Sequence, residues 1–102
     1  MKENQTDQVN VSLKPRIRYR AVGEEGVLVD LESGRVIVVN EVGLQIIQSL
    51  GKPRSRQSLV KMLVDDFEIT EESAGSDVDA FLAELDREQL VSTSSPGQAG
   101  TS

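Results

Sequence analysis

The chain has no cysteine, no histidine and no tryptophan, and its aromatic side chains are limited to Tyr19, Phe67 and Phe81. Without cysteine there can be no disulfide, no thiolate nucleophile and no cysteine zinc site. The lack of histidine removes the commonest general base and most metal-ligand sets. No apolar run approaches the roughly 20 residues that a membrane-spanning helix needs. The opening residues, Met1-Lys2-Glu3-Asn4-Gln5-Thr6-Asp7-Gln8, carry acids and amides where a signal peptide has its basic and apolar regions. A cytoplasmic protein with no membrane contact is therefore expected. Cations are in deficit, 11 Lys and Arg against 17 Asp and Glu, for a net charge of −6. That balance argues against a nucleic-acid partner, whose affinity rests on Lys and Arg replacing counterions.

What remains is 102 residues, 37% hydrophobic and 27% charged, the composition of one soluble domain with a modest core. Residues 1–14 are polar, lack periodicity and end in Lys14-Pro15, so a mobile arm is expected. From Arg16 the pattern is strict: Ile17, Tyr19 and Ala21 alternate with Arg16, Arg18 and Arg20, as in a strand with one buried and one solvated face. Gly23-Glu24-Glu25-Gly26 makes a turn, and Val27 to Leu31 forms a second strand. Glu32-Ser33-Gly34 is a short hairpin loop in which the glycine can take a positive φ. The third strand, Gly34-Arg35-Val36-Ile37-Val38-Val39-Asn40, is apolar on both faces. Such strands are normally covered by helices on both sides, for which this chain is too short. One face is expected on the core, leaving the other face and one strand edge for a guest or for a second copy of the chain.

Three helices should follow. Asn40 caps the first, with Val42, Ile46, Ile47 and Leu50 as its stripe, and Gly51 stops it. Gly43 lies inside that stripe, where close approach of a neighbour is its expected purpose. Ser55 caps the second helix, which has Leu59, Val60, Leu63, Val64 and Phe67 on one face. Thr70 can cap the third, Glu71 to Glu88, with the stripe Ala74, Val78, Phe81, Leu82 and Leu85; Gly75 and Ser76 suggest that it is firm only from Asp77. Leu90-Val91 closes the fold, and residues 92–102 are expected to be a disordered tail.

No nucleophile elbow, phosphate loop, metal motif or catalytic carboxylate pair can be assembled, the serines have no histidine base, and a non-enzymatic role without cofactor or metal is expected. The third helix carries Glu71, Glu72, Asp77, Asp79, Glu84, Asp86 and Glu88 against Arg87. Surface acids are usually solvation, but Asp77, Glu84 and Glu88 border the apolar stripe beside Phe81, which suits a ligand with apolar anchors and flanking Lys or Arg. Three strands and three helices also describe a winged helix-turn-helix, yet that helix would present its acids to DNA phosphates.

The run Gly26-Val27-Leu28-Val29-Asp30-Leu31-Glu32-Ser33-Gly34-Arg35-Val36-Ile37-Val38-Val39-Asn40-Glu41-Val42-Gly43, followed by Ser58-Leu59-Val60 and Asp77-Val78-Asp79-Ala80-Phe81-Leu82-Ala83-Glu84-Leu85, resembles the PqqD-like family over residues 15–91. That family includes the recognition elements of ribosomally made, post-translationally modified peptide pathways. The resemblance implies an α+β, winged helix-turn-helix-like fold, a three-stranded antiparallel sheet followed by three helices, which binds the leader segment of a precursor peptide without catalysing a reaction. It implies that the leader adds as a strand against Arg35, Val36, Ile37, Val38 and Val39, in a cleft walled by Asp77, Val78, Phe81, Leu82, Glu84 and Leu85. A separate modifying enzyme, such as a radical S-adenosylmethionine enzyme or a leader protease, would be the second partner, and the chain itself a monomer or weak homodimer. Ile47 stands where many relatives have tryptophan, Gln89 where a glycine commonly precedes the final apolar pair, and the loop Gly51 to Arg54 lacks the Asp-Gly of quinone-cofactor members.

Overall fold

The computed structural model describes residues 9–94. The elements are β1 (Asn10–Leu13), β2 (Ile17–Val22), β3 (Glu25–Asp30), β4 (Val36–Val39), α1 (Glu41–Ser49), β5 (Arg54–Ser55), α2 (Arg56–Phe67), α3 (Glu71–Arg87) and β6 (Val91–Ser94). The fold is α+β, with three helices and antiparallel sheets. The three expected strands are β2, β3 and β4, and they form a meander in the order β2-β3-β4.

A second sheet, ordered β5-β1-β6, corrects the expectation of a single sheet. It also corrects the expected arm over 1–14 and tail over 92–102. Asn10 to Leu13 pair with Ser94 to Val91, and Val11 is buried. The Leu13 amide donates to the Leu50 carbonyl at 2.9 Å and the Lys14 amide to the Leu90 carbonyl at 3.0 Å, so β1 satisfies carbonyls at the ends of two other elements. The rest of the expected arm and tail, residues 1–8 and 95–102, lies outside the described residues.

Each helix starts where its cap residue directs. The Asn40 side chain accepts from the Gly43 amide at 2.9 Å, Ser55 from Ser58 at 3.1 Å and Thr70 from Ser73 at 3.1 Å. Helix α3 is regular from Glu71, not only from Asp77. Gly75 is buried inside it, and a Cβ there would stand 2.9 Å from Arg56 Nη2, so the residue that weakens the helix makes room for a cation of α2. At the other end the Leu90 amide donates to the Leu85 carbonyl and the Gln89 amide to the Asp86 carbonyl, both at 2.9 Å. This is a Schellman ending, with Gln89 in the left-handed conformation at φ 62°. Glycine is the usual occupant of that place, which accounts physically for the departure at Gln89.

The core gathers Leu28, Ile46, Ile47, Leu50, Leu59, Leu63, Val78 and Leu90. Ile17 is buried but Tyr19 is 40% exposed and Ala21 is exposed, so the expected inward face of β2 is covered only at its start. Among the described residues no helix is long and apolar enough to cross a membrane.

Candidate functional site

Strand β4 pairs with β3 through Val29↔Val36, Leu28↔Ile37, Val27↔Val38 and Gly26↔Val39, and with nothing else among the described residues. The Asp30 amide donates to the Arg35 carbonyl at 2.9 Å. Hydrogen-bonded pairs alternate along an antiparallel ladder, so Ile37 and Val39 spend their backbone groups on β3 while those of Val36 and Val38 point to the open edge. The side chains divide the same way. Val39 is buried and Ile37 packs on the core, whereas Val36 is 58% and Val38 60% exposed. Of the two apolar faces, packing therefore covers one.

Two close approaches select that face. Gly26 lies under Leu44 and Val39, where a Cβ would come within 2.9 Å of both side chains. A Cβ on Gly43 would meet Val39 Cβ and Phe81 Cε1, each at 3.0 Å. Glycine at 43 thus lets β4 and the Phe81 ring both settle against the start of α1, as the sequence pattern led us to expect.

The β3–β4 loop is built on Asp30, whose side chain is buried. Its Oδ1 accepts from the Glu32 amide at 2.9 Å and the Ser33 amide at 3.3 Å, and Arg16 Nε donates to the same oxygen at 3.1 Å. Burial alone would raise this carboxyl; the Glu32 amide, the Arg16 guanidinium and the Ser33 amide outweigh it and hold it below the ordinary aspartate value. Arg35 reaches from the loop to the end of α3, with Nη1 2.8 Å from Glu88 Oε1 and Nη2 donating to the Glu88 carbonyl at 3.1 Å. Arg16 Nη2 likewise donates to the Gln89 carbonyl at 2.9 Å. Two cations thus occupy the negative end of the α3 dipole and fasten it to the sheet.

Between the free edge and α3 lies an open groove of about 470 Å³, with Arg35 to Asn40 along one side and Phe81, Glu84, Leu85, Glu88 and Leu90 along the other. A smaller recess of about 240 Å³ shares Asn40, Phe81 and Glu84 with it and continues over the start of α1 to Asp77. Of the residues singled out in the sequence, Arg35, Val36, Ile37, Val38, Val39, Phe81, Glu84 and Leu85 line the main groove and Asp77 borders the recess. Val78 does not reach either; it is fully buried on the inner side of α3. Leu82 packs against the core and lines neither space. Glu88, the third of the acids bordering the stripe, lines the groove as well, and so do Asn40 and Leu90, which the sequence does not mark as site residues. The cap made by Asn40 and the burial of Leu90 each account for the residue locally, so neither carries a sequence signal for the groove. The groove presents backbone donors and acceptors, an apolar floor and carboxylates, a set suited to holding an extended peptide.

The model of the family described as coenzyme PQQ synthesis protein D (PqqD) matches residues 25–91, so the chain belongs to that family. Two solved structures share its fold. One is TbiB1 in complex with the TbiA(beta) leader peptide, 21% identical, with a TM-score of 0.69 over 78% of this chain and 93% of that one. The other is a lasso peptide synthetase B1 complexed with the leader peptide, 23% identical, with a TM-score of 0.69 over 80% of this chain and 96% of that one. No curated protein matches the chain.

Proposed function

We propose that this chain is a leader-peptide recognition domain. It binds the leader of a ribosomally synthesised precursor as an added strand on β4 and delivers it to a separate modifying enzyme, with no chemistry of its own. The observation that carries this reading is the free β4 edge, with the outward backbone groups of Val36 and Val38 facing an open groove walled by Phe81, Glu84 and Leu85. Backbone pairing supplies affinity, and the groove selects alternate side chains. Membership of the family and the leader complexes of the two similar structures support the same direction. The recognition domain is taken to run over 15–91 with β1 as its brace, in a winged helix-turn-helix-like arrangement. It works in the cytoplasm, without nucleic acid, and as a monomer or weak homodimer.

The test is a titration of the isotopically labelled chain with its cognate leader, following backbone amides. Shifts are expected at Val36 and Val38 and along the Phe81 face; shifts that avoid them place the site elsewhere. Val38→Pro is the decisive variant. Its amide faces the open edge, so proline removes a donor to the guest while sparing the β3 ladder, and the domain should fold but lose leader binding. Ile37→Pro, by contrast, breaks the ladder itself. A dimer pairing two β4 edges would instead appear as concentration-dependent sedimentation suppressed by the leader.

A further inference from the structure

We propose that the outer face of the β2-β3-β4 sheet is a second binding surface, which docks an acidic, apolar patch on the enzyme that receives the bound peptide. This rests on the reading of β4 as the peptide edge. The strand register sets out the face in rows, Arg20 beside Val27 and Val38, and Arg18 beside Val29 and Val36. Among the described residues no helix covers it: Val22 is 55% exposed and Leu31 60%, alongside the exposed Val36 and Val38. Arg18, Tyr19, Arg20, Val22, Val27 and Val29 enclose a shallow depression of about 370 Å³, wide enough for one apolar side chain of a partner. Branched apolar residues grouped in this way on a free surface mark an interaction site.

Charge identifies the occupant. Arg16 is paired with Asp30, Arg35 with Glu88 and Arg56 with Asp79. The Arg18 side chain is hydrogen-bonded to the carbonyls of Pro15 and Ile17, and the Arg20 side chain has no hydrogen bond or ion pair among the described residues. Neither guanidinium has a carboxylate partner there, on a chain whose net charge is −6. A partner that buries the valines must therefore bring carboxylates beside Arg18 and Arg20. A second copy brings the same two arginines against a single carboxylate, Glu25 opposite Val22, and three strands at about 4.8 Å spacing give a face well short of the roughly 800 Å² per partner that a stable dimer buries.

Continuity with the peptide edge makes this partner the receiving enzyme. Val36 and Val38 belong to both the edge and the outer face. A strand added to β4 widens the sheet and sets every second peptide side chain on this same face. A protein seated there touches domain and guest together, so it binds the loaded domain more tightly than the empty one, and leader affinity rises reciprocally when it is bound.

The experiment uses the full chain with its cognate precursor and modifying enzyme, comparing the parent with Arg18→Glu/Arg20→Glu. Leader affinity is expected to change by less than about twofold, while kcat/KM for precursor modification falls by about tenfold or more and Arg20→Lys retains most of it. Unchanged modification, or leader affinity lost in parallel, overturns the docking face. A self-association or a binding of phosphatidylglycerol vesicles that the variant abolishes also overturns it, by assigning the face to a second copy or to a membrane. If the parent chain binds no leader at β4, the peptide reading falls and this proposal with it; leader binding with unaltered modification sinks the docking face alone.

Discussion

Gln89 and Gly43 occupy each other's natural places: a side chain where glycine is preferred, and a glycine inside a helix. At Gln89 the left-handed backbone costs roughly 1 kcal/mol for a residue with a Cβ, so Gln89→Gly should raise stability by about that amount. Urea unfolding should show a higher midpoint at unchanged slope, with leader binding unaltered because Gln89 lies outside the groove lining. At Gly43 two effects compete. Alanine would gain about 1 kcal/mol of helix propensity, but its Cβ would press on Val39 and Phe81 at 3.0 Å. Val39 is fixed in the sheet and cannot yield, and overpacking of this kind costs about 1–3 kcal/mol. Gly43→Ala is therefore expected to destabilise by about 1 kcal/mol net and, by pushing the Phe81 ring into the groove, to weaken leader binding measured by anisotropy. Neither outcome could be read from composition, yet both positions stand out in the sequence.

Among the elements, the β3–β4 hairpin sets the free edge, and its loop depends on the ionised form of Asp30. The folded-state carboxyl titrates below its unfolded value, so its stabilisation is present above about pH 4 and is lost as pH falls through the folded value. Asp30→Asn should accordingly lower Tm near neutral pH, and the gap from the parent should narrow as the pH approaches that of the folded carboxyl. A gap independent of pH would mean that Asp30 acts through packing alone. The hairpin and the three helices were legible because their signals are local: partial alternation in Val27 to Leu31, an unbroken β-branched run from Val36 to Val39, and caps at Asn40, Ser55 and Thr70. The inward face of β2 was misjudged for a reason that alternation does not contain. Tyr19 and Ala21 point the same way as Ile17, but the strand runs out beyond the core that covers Ile17.

On the scale of the whole molecule, β1 ties the two ends of the described chain together, pairing with β6 while its last residue, Leu13, and the following Lys14 donate to the carbonyls of Leu50 and Leu90. Deleting residues 1–13 should cost at least about 2 kcal/mol, the burial of Val11 alone being worth most of that, and should lower the denaturation midpoint. An unchanged midpoint would return these residues to the role of a mobile arm. Asn10-Val11-Ser12-Leu13 carries too little periodicity to announce a strand, and its partners lie some eighty residues away, so only the assembled core could pair them. The sequence by itself determined the helices, the hairpins, the absence of histidine and cysteine chemistry, and the existence of one strand with more apolar surface than so small a domain can bury. Which side of that strand stays open was decided by tertiary structure. Both faces are valine and isoleucine, so hydrophobicity could not choose between them; Gly26 and Gly43 admit Val39 to the core, and the sheet then turns Val36 and Val38 outward.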